Sequence, residues 1–82
     1  MVVGKFNWRK KKELKEKILE LADKEEWAEI SKLIPELIKY QANAYCTCEI
    51  SEAVVDLSLR DLPEEIRENR KLLIKKCAEK LW

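Results

Sequence analysis

Residues 41–59, QANAYCTCEISEAVVDLSL, contain no Lys or Arg, although charged residues make up 40% of the whole sequence. At helical spacing, apolar side chains fall on two stripes, the first of which begins three residues before this segment. The first stripe carries Ile38, Ala42, Tyr45, Cys46, Ile50, Val54 and Leu57, and the second carries Ala44, Cys48, Val55 and Leu59. A helix that is apolar on more than one side needs neighbours on more than one side. The segment therefore predicts a central helix that other helices, or a second copy of the chain, must cover.

Composition favours an all-α fold. The 82 residues fit a single domain spanning 1–82, and glycine occurs once, so the chain lacks the turn residues that β-sandwiches and barrels need. The alternation from Tyr45 to Ile50 also fits a short strand, but no second segment has a matching pattern to pair with it. We therefore expect a compact four-helix bundle-like domain with a central apolar third helix. No apolar run approaches the roughly 20 residues that span a bilayer.

Four helices are predicted, over residues 8–22, 24–34, 35–59 and 62–81, with a break around Asn43 or Thr47 as the alternative to a continuous third helix. The first, second and fourth have apolar residues recurring at the spacing of one helical face, with Lys and Glu on the remaining sides, whereas the third is apolar on more than one side. The segment 1–7 is predicted to be an extended N-terminal arm, because Gly4 and the β-branched Val2 and Val3 disfavour a helix.

Helix boundaries follow from capping residues and prolines. Asp23 and Glu26 match a capping box at the start of the second helix. Pro35 disfavours continuation of that helix and is well suited to begin the third. Asp61 is predicted to cap the fourth helix, with Pro63 in its first turn. The predicted core consists of Leu14, Ile18, Leu21, Trp27, Ile30, Ile34, Ile38, Ala42, Tyr45, Ile50, Val54, Leu57, Ile66, Leu73, Ile74, Cys77 and Leu81.

The charges are sorted by position along the chain. Residues 1–19 carry a net charge of +5, residues 20–65 a net charge of −8 and residues 66–82 a net charge of +4, which sum to the +1 of the whole chain. This layout indicates either that the two ends share a positive surface or that the positive ends dock on acidic middle segments.

A basic cluster, WRKKKELKEK, begins at Trp8. Lysine and arginine neutralise backbone phosphates and release counterions, so such a cluster is a candidate nucleic-acid-binding face. The candidate residues are Arg9, Lys10, Lys11, Lys12 and Lys15, with help from Arg67, Arg70 and Lys71. The alternatives are a solvated helix with interleaved Glu, and a helix lying on a membrane surface.

Exposed aromatic and apolar residues mark a candidate interface, and one of them, Tyr45, also belongs to the predicted core. Trp8 and Trp82 lie near the ends of the sequence, where they either close the base of the domain or contact a partner, since tryptophan is enriched at interfaces. The candidate interface residues are Trp8, Tyr45, Val55, Leu59 and Trp82. Because the third predicted helix is apolar around more of its circumference than three other helices can cover, we expect a homodimer.

The three cysteines, Cys46, Cys48 and Cys77, do not match a structural zinc site, which takes about four Cys or His ligands, and the chain has no His. We expect buried thiols, with a disulfide from Cys77 to Cys46 or Cys48 as the alternative. The scarcity of His and Gln beside abundant Lys and Glu is typical of hyperthermophile proteins, in which intracellular disulfides occur.

Acidic residues supply the one enzymatic pattern in the sequence. Glu25, Glu26 and Glu29 form E-E-x-x-E, and Glu52 and Asp56 recur at helical spacing on a later helix. The pattern resembles that of the all-α MazG-like nucleotide pyrophosphohydrolases, although Ala53 stands where their second motif has another Glu. The resemblance implies a magnesium-dependent hydrolase of nucleoside triphosphates, with Glu26, Glu29, Glu52 and Asp56 as the metal ligands.

The leading expectation is a small non-enzymatic helical interaction module, an adaptor or regulator acting as a homodimer. The chain has no His, no Gly-rich phosphate loop and no nucleophile–base pair, so we expect no catalytic residues, no metal site and no cofactor. Nucleic-acid binding and the MazG-like activity are the alternatives. The apolar residues of the N-terminus precede the basic cluster, the reverse of a secretory signal, so we expect a cytoplasmic protein.

Overall fold

The computed structural model describes the backbone of residues 2–40 and 42–82 and the side chains of residues 8–40 and 42–82. Within these residues the chain forms four helices and no strand. They are α1 (Val2–Asp23), α2 (Trp27–Lys39), α3 (Ala44–Leu59) and α4 (Glu64–Glu79). The predicted all-α fold is confirmed, including a helix where the alternation after Tyr45 also fitted a strand. Met1 and Gln41 lie outside the described residues. Gln41 is the first residue of the segment 41–59 that predicted the central helix.

The predicted extended arm is wrong for residues 2–7, because α1 begins at Val2. Relative to alanine, Gly4 costs a helix about 1 kcal/mol, and Val2 and Val3 cost at most about 0.7 kcal/mol each. A helix that already exists after residue 8 extends backwards without a new nucleation step, so these costs do not stop it.

The chain leaves α1 through a residue in the left-handed region. Glu25 has a φ of 58°. Its N–H donates to the carbonyl of Ala22 at 3.2 Å, and the N–H of Glu26 donates to the carbonyl of Leu21 at 3.0 Å. These two bonds form a Schellman motif that satisfies the last carbonyls of α1. The predicted capping box is therefore wrong: Asp23 ends α1, and the N-cap of α2, Glu26, makes no side-chain capping bond.

Pro35 lies inside α2 and does not begin a third helix as predicted. Its ring lacks the N–H that the carbonyl of Ser31 would accept, but Ser31 is exposed, so water can satisfy that carbonyl. Leu37 is fully buried, and burying a leucine contributes about 2 to 3 kcal/mol, comparable with the cost of about 3 kcal/mol of an interior proline. Helix α2 ends at Lys39 and α3 begins at Ala44, next to Asn43, one of the two positions at which the predicted third helix could break.

Asn43 begins α3. Its side-chain oxygen accepts from the N–H of Cys46 at 3.2 Å, and its carbonyl accepts from the hydroxyl of Thr47 at 2.9 Å. The first bond is an N-cap worth about 1 kcal/mol. The second gives the buried hydroxyl of Thr47 a partner.

The start of α4 differs from the prediction by two residues. Pro63 is the N-cap and makes no side-chain capping bond, so the predicted cap at Asp61 is wrong. Glu64 and Glu65 occupy the first turn, where their charges are favourable to the helix dipole. That electrostatic contribution replaces a capping hydrogen bond at this end.

The helices pack in a ring, in which α1 contacts α2 and α4, and α3 contacts the same two helices. The predicted core is confirmed at Leu14, Ile18, Leu21, Trp27, Ile30, Ala42, Ile50, Val54, Leu57, Ile74, Cys77 and Leu81. Further buried apolar residues are Ala22, Leu37, Cys46, Ala53 and Ala78.

Five predicted core residues are not fully buried. Ile38, Tyr45 and Ile66 are exposed, and Ile34 and Leu73 are partly buried against the core. Ile38 was assigned to the wrong helix: because α2 runs through Pro35, the inward face that begins at Trp27 and Ile30 continues to Leu37. Tyr45 lies one residue before Cys46, and about 100° of helical rotation turns it outward.

Candidate interaction surfaces

The outer side of α3 is almost free of charge. Seven residues of α3 are exposed, and one of them is charged. This outer face consists of Ala44, Tyr45, Cys48, Glu52, Val55, Ser58 and Leu59. Leu59 and Tyr45 expose 80% and 74% of their surfaces. A helix of a soluble bundle ordinarily turns charged and polar residues outward, so this face is a candidate interaction surface.

Two cavities lie between α2 and this outer face. The first has a volume of about 420 Å³, and its lining includes Ile34 and Ile38 of α2 with Ala44, Cys48 and Ser51 of α3. The second has a volume of about 400 Å³, and its lining includes Ala28, Ser31 and Lys32 of α2 with Val55, Ser58 and Leu59 of α3. The first cavity has no charged side chain in its lining. The two cavities and the outer face together form the α2/α3 groove.

At the α1/α4 edge of the ring, which lies opposite the α2/α3 groove, is a different kind of surface. A cleft of about 410 Å³ is lined by Trp8, Lys11, Lys12 and Lys15 of α1 and by Leu81 and Trp82, which follow α4. The ammonium of Lys12 lies 5.6 Å from the centroid of the Trp8 ring, a cation–π distance. The ammonium of Lys15 donates to the carbonyl of Glu79 at 3.2 Å and joins α1 to the last turn of α4. We call this surface the basic cleft.

Four of the five predicted nucleic-acid-binding residues of α1 lie at or near the basic cleft. Lys11, Lys12 and Lys15 line it, and Arg9 is exposed on the same helix. Lys10 instead lies 3.9 Å from the carboxylate of Glu36 on α2. The positive face of α1 is therefore narrower than the sequence run implies.

The other three predicted nucleic-acid-binding residues are in the first half of α4. They are Arg67, Arg70 and Lys71. The Nε atom of Arg70 lies 3.4 Å from the carboxylate of Asp56. Lys71 is eight residues before Glu79, which is about 12 Å along a helix. Its charge acts on Asp23, whose pKa is lowered mainly by a hydrogen bond from Lys75 and further by Lys71. These residues therefore stand apart from the basic cleft.

The four carboxylates of the MazG-like pattern do not come together. Glu26 lies exposed at the start of α2, Glu29 pairs with an adjacent lysine at 3.2 Å, and Glu52 is on the outer face of α3. The carboxylate of Asp56 lies 3.4 and 3.5 Å from two arginine Nε atoms. Among the described residues no three carboxylate or thiol groups gather as a metal site requires.

All three thiols are free. Cys46 and Cys77 are buried as neighbours between α3 and α4, which confirms the expectation of buried thiols for these two. Burial, and next the adjacent Cys46 thiol, raises the pKa of Cys77 to about 11. Cys48 is exposed in the α2/α3 groove, so that expectation is wrong for Cys48.

The five predicted interface residues are all exposed and fall on the two surfaces. Tyr45, Val55 and Leu59 lie on the outer face of α3, and Trp8 and Trp82 line the basic cleft. Sequence reasoning missed Ile38, which is 65% exposed in the groove. The available signal was a pair of adjacent apolar residues, of which a helix can turn only one fully inward.

Comparison with protein-family models, curated proteins and solved structures finds no significant match to this chain. In the part of the chain that the structure describes, none of the helices combines the length and apolarity required to cross a bilayer. The α2/α3 groove and the basic cleft are therefore the features from which we infer function.

Proposed function

We propose that this protein is a non-enzymatic interaction module that forms a homodimer through the α2/α3 groove. The observation that carries the proposal is the outer face of α3, on which six of seven exposed residues are uncharged. Contiguous apolar surface of this kind, bordered by polar residues, is characteristic of protein–protein contact sites. A dimer with this surface buried would present the charged sides of the other helices to adaptor or regulatory partners.

The order of residues along α3 fits a twofold dimer. Small residues, Ala44 and Cys48, lie at its first end, and larger ones, Val55 and Leu59, lie at the other. A twofold axis between Ser51 and Glu52 makes two copies of α3 antiparallel. It then places Leu59 of the partner subunit opposite Ala44 and Val55 of the partner subunit opposite Cys48.

Space for these larger side chains exists in the groove. The cavity of about 420 Å³ lies beside Ala44 and Cys48, so an antiparallel partner brings its Val55 and Leu59 over this cavity. The same contact occurs a second time by symmetry, as an isologous interface requires. Ile38 and Tyr45 border the same end of the groove and become covered with it.

The centre of this contact is polar. Ser51 lies beside Glu52 of the partner subunit across the axis, where its hydroxyl can donate to that carboxylate. Twofold symmetry forms this polar pair twice. Polar pairs at the middle of an apolar helix contact cost some affinity but fix the register, as buried polar residues do in coiled coils. The pairing of small with large residues and of donor with acceptor favours a second copy as the occupant.

Binding rather than catalysis is supported by the state of the reactive groups. Asp56 is compensated by two arginines, and the raised pKa of Cys77, about 11, keeps that thiol protonated at neutral pH. Adjacent thiols that are not joined as a disulfide are characteristic of a reducing compartment. We therefore include a cytoplasmic location in this proposal.

Sedimentation equilibrium tests the dimer with two matched variants. Leu59→Arg places a charge on the outer face of α3 and should convert a dimer to a monomer of 9.7 kDa. Leu72→Arg makes the same change at a residue of α4 that is 50% exposed and lies outside the groove, and it should leave the dimer intact. A monomeric wild-type protein at high concentration, or equal effects of the two variants, would contradict the proposal.

A further inference from the structure

The basic cleft combines two features that a solvated helix surface seldom brings together. Trp8 and Trp82 expose 64% and 39% of their surfaces, and Lys11, Lys12 and Lys15 line the same cleft. Positions 8, 11, 12 and 15 share one helical face, and none of them is a carboxylate. Flat aromatic surface and positive charge therefore face the same volume.

The lysines in this cleft are placed against their local electrostatic preference. Lys11 and Lys15 are like charges four residues apart, which repel each other. The contacts of Lys12 with Trp8 and of Lys15 with the Glu79 carbonyl hold the ammonium groups at the cleft.

We propose that the basic cleft binds single-stranded nucleic acid. A base stacks on the exposed indole of Trp8 or Trp82, and the flanking phosphates contact Lys11, Lys12 and Lys15. Proteins that bind single strands combine a positive groove with aromatic side chains on which bases stack. A volume of about 410 Å³ is within the range of small-ligand sites, roughly 300 to 1,000 Å³, and admits one unstacked base.

The same chemistry argues for a single strand over a duplex. Paired bases expose their edges in the grooves and keep their faces covered by neighbouring pairs, so a duplex offers no face to an indole. An apolar protein partner would leave three ammonium groups without negative partners. A strand supplies both the ring faces and the phosphates.

Fluorescence anisotropy with labelled oligothymidylate tests this site. The wild-type protein should bind at low salt and lose affinity as salt rises. Trp8→Ala should weaken binding about tenfold, and Trp8→Phe should retain most of it, because stacking is the lost interaction. Lys12→Ala should weaken binding and reduce the slope of log affinity against log salt by about 0.7.

Lys39→Ala is the matched control. The ammonium of Lys39 lies 5.9 Å from the ring centroid of Tyr40 at the end of α2, which reproduces the pairing of Lys12 with Trp8 away from the cleft. Its removal changes the net charge equally and should leave affinity near the wild-type value. Circular dichroism verifies that each variant is folded. If Trp8→Ala unfolds, binding by Trp8→Phe and Lys12→Ala still tests the proposal.

Several outcomes would overturn the proposal. They are no binding at the lowest salt, unchanged affinity in both Trp8→Ala and Lys12→Ala, and tighter binding to a duplex than to a single strand. If a mononucleotide binds as tightly as oligothymidylate, the cleft is a site for free nucleotides and not for a strand. If the protein binds vesicles of anionic lipid and Trp8→Ala abolishes that binding, the cleft contacts a membrane surface. Because Leu59 is outside the cleft, Leu59→Arg should bind the oligonucleotide, which separates this test from that of the dimer.

Discussion

Two residues of this bundle, Glu25 and Cys77, affect its stability through a left-handed backbone conformation and a buried thiol, respectively. Glu25 adopts a φ of 58°, a conformation that costs a residue with a Cβ about 1 to 2 kcal/mol. Cys77 of α4 is buried among apolar side chains beside Cys46 of α3. For each of these residues, we predict how a single substitution changes the free energy of unfolding.

Glu25→Gly should raise the free energy of unfolding by about 1 kcal/mol, because glycine reaches the left-handed region without a Cβ clash. Urea denaturation monitored by circular dichroism measures the change. Glu29→Gly provides the control at an exposed position inside α2, where glycine should instead lower the free energy of unfolding by about 1 kcal/mol. A loss of stability in Glu25→Gly would show that the Schellman turn does not form as described.

Cys77 makes the stability of the protein depend on alkaline pH. The folded thiol keeps its proton up to about 11, whereas the ordinary value is 9.0. Between these values the unfolded chain binds fewer protons than the folded one, so the free energy of unfolding should fall as pH rises, by on the order of 2 kcal/mol. Below pH 9.0 this contribution is fully present.

Cys77→Ala isolates that contribution. The variant should be less stable than wild type at neutral pH because it leaves a cavity, but it should lose less stability on going to alkaline pH. Urea denaturation of both proteins across this range gives the two slopes. Parallel curves for the two proteins would mean that Cys77 ionises equally in the folded and unfolded states.

At the scale of elements, the sequence predicts which segments are helical better than where each helix ends. The periodic apolar residues of the first and fourth predicted helices survive in α1 and α4, since periodicity reports the buried face directly. The boundary at Pro35 was wrong because a local propensity was outweighed by burial of Leu37 two residues later. Glu25 gave no signal, because glycine is the residue expected at that position of a Schellman turn.

Pro35→Ala should raise the free energy of unfolding by about 1 to 3 kcal/mol, since it restores the N–H donor to Ser31 and removes the ring clash. Pro63→Ala should have the opposite sign and a smaller size, because Pro63 is the N-cap of α4 and its rigidity restricts the unfolded chain. Thermal and urea denaturation of the two variants compare these effects. A stability loss in Pro35→Ala would indicate that α2 is not continuous.

Candidate site residues were predictable as a set but not as surfaces. Trp8, Trp82 and Leu59 were identified as interface residues from their positions, whereas Tyr45 was assigned to both the interface and the core. Which of them share a surface depends on the ring order of the helices. Lys15 and Glu79 are far apart in the sequence and are joined only by the fold. Arg70 was assigned to the basic set because its partner, Asp56, lies on a different helix.

At the scale of the whole molecule, the ring of helices separates two chemically different surfaces. The α2/α3 groove draws on the middle of the chain, where residues 20–65 have a net charge of −8, and the basic cleft draws on the two positive ends. Contacts between α1 and α4 bring those ends together. A dimer formed through the groove therefore leaves both copies of the basic cleft open to solvent.

Amide chemical shifts recorded over a wide dilution series test the dimer most directly. If two copies associate as proposed, concentration-dependent shifts should map to the groove, at Ile38, Tyr45, Cys48, Val55 and Leu59, and should vanish in Leu59→Arg. The amides of Trp8 and Trp82 should be unchanged by dilution. Spectra that do not change with concentration, or changes confined to the basic cleft, would contradict the account.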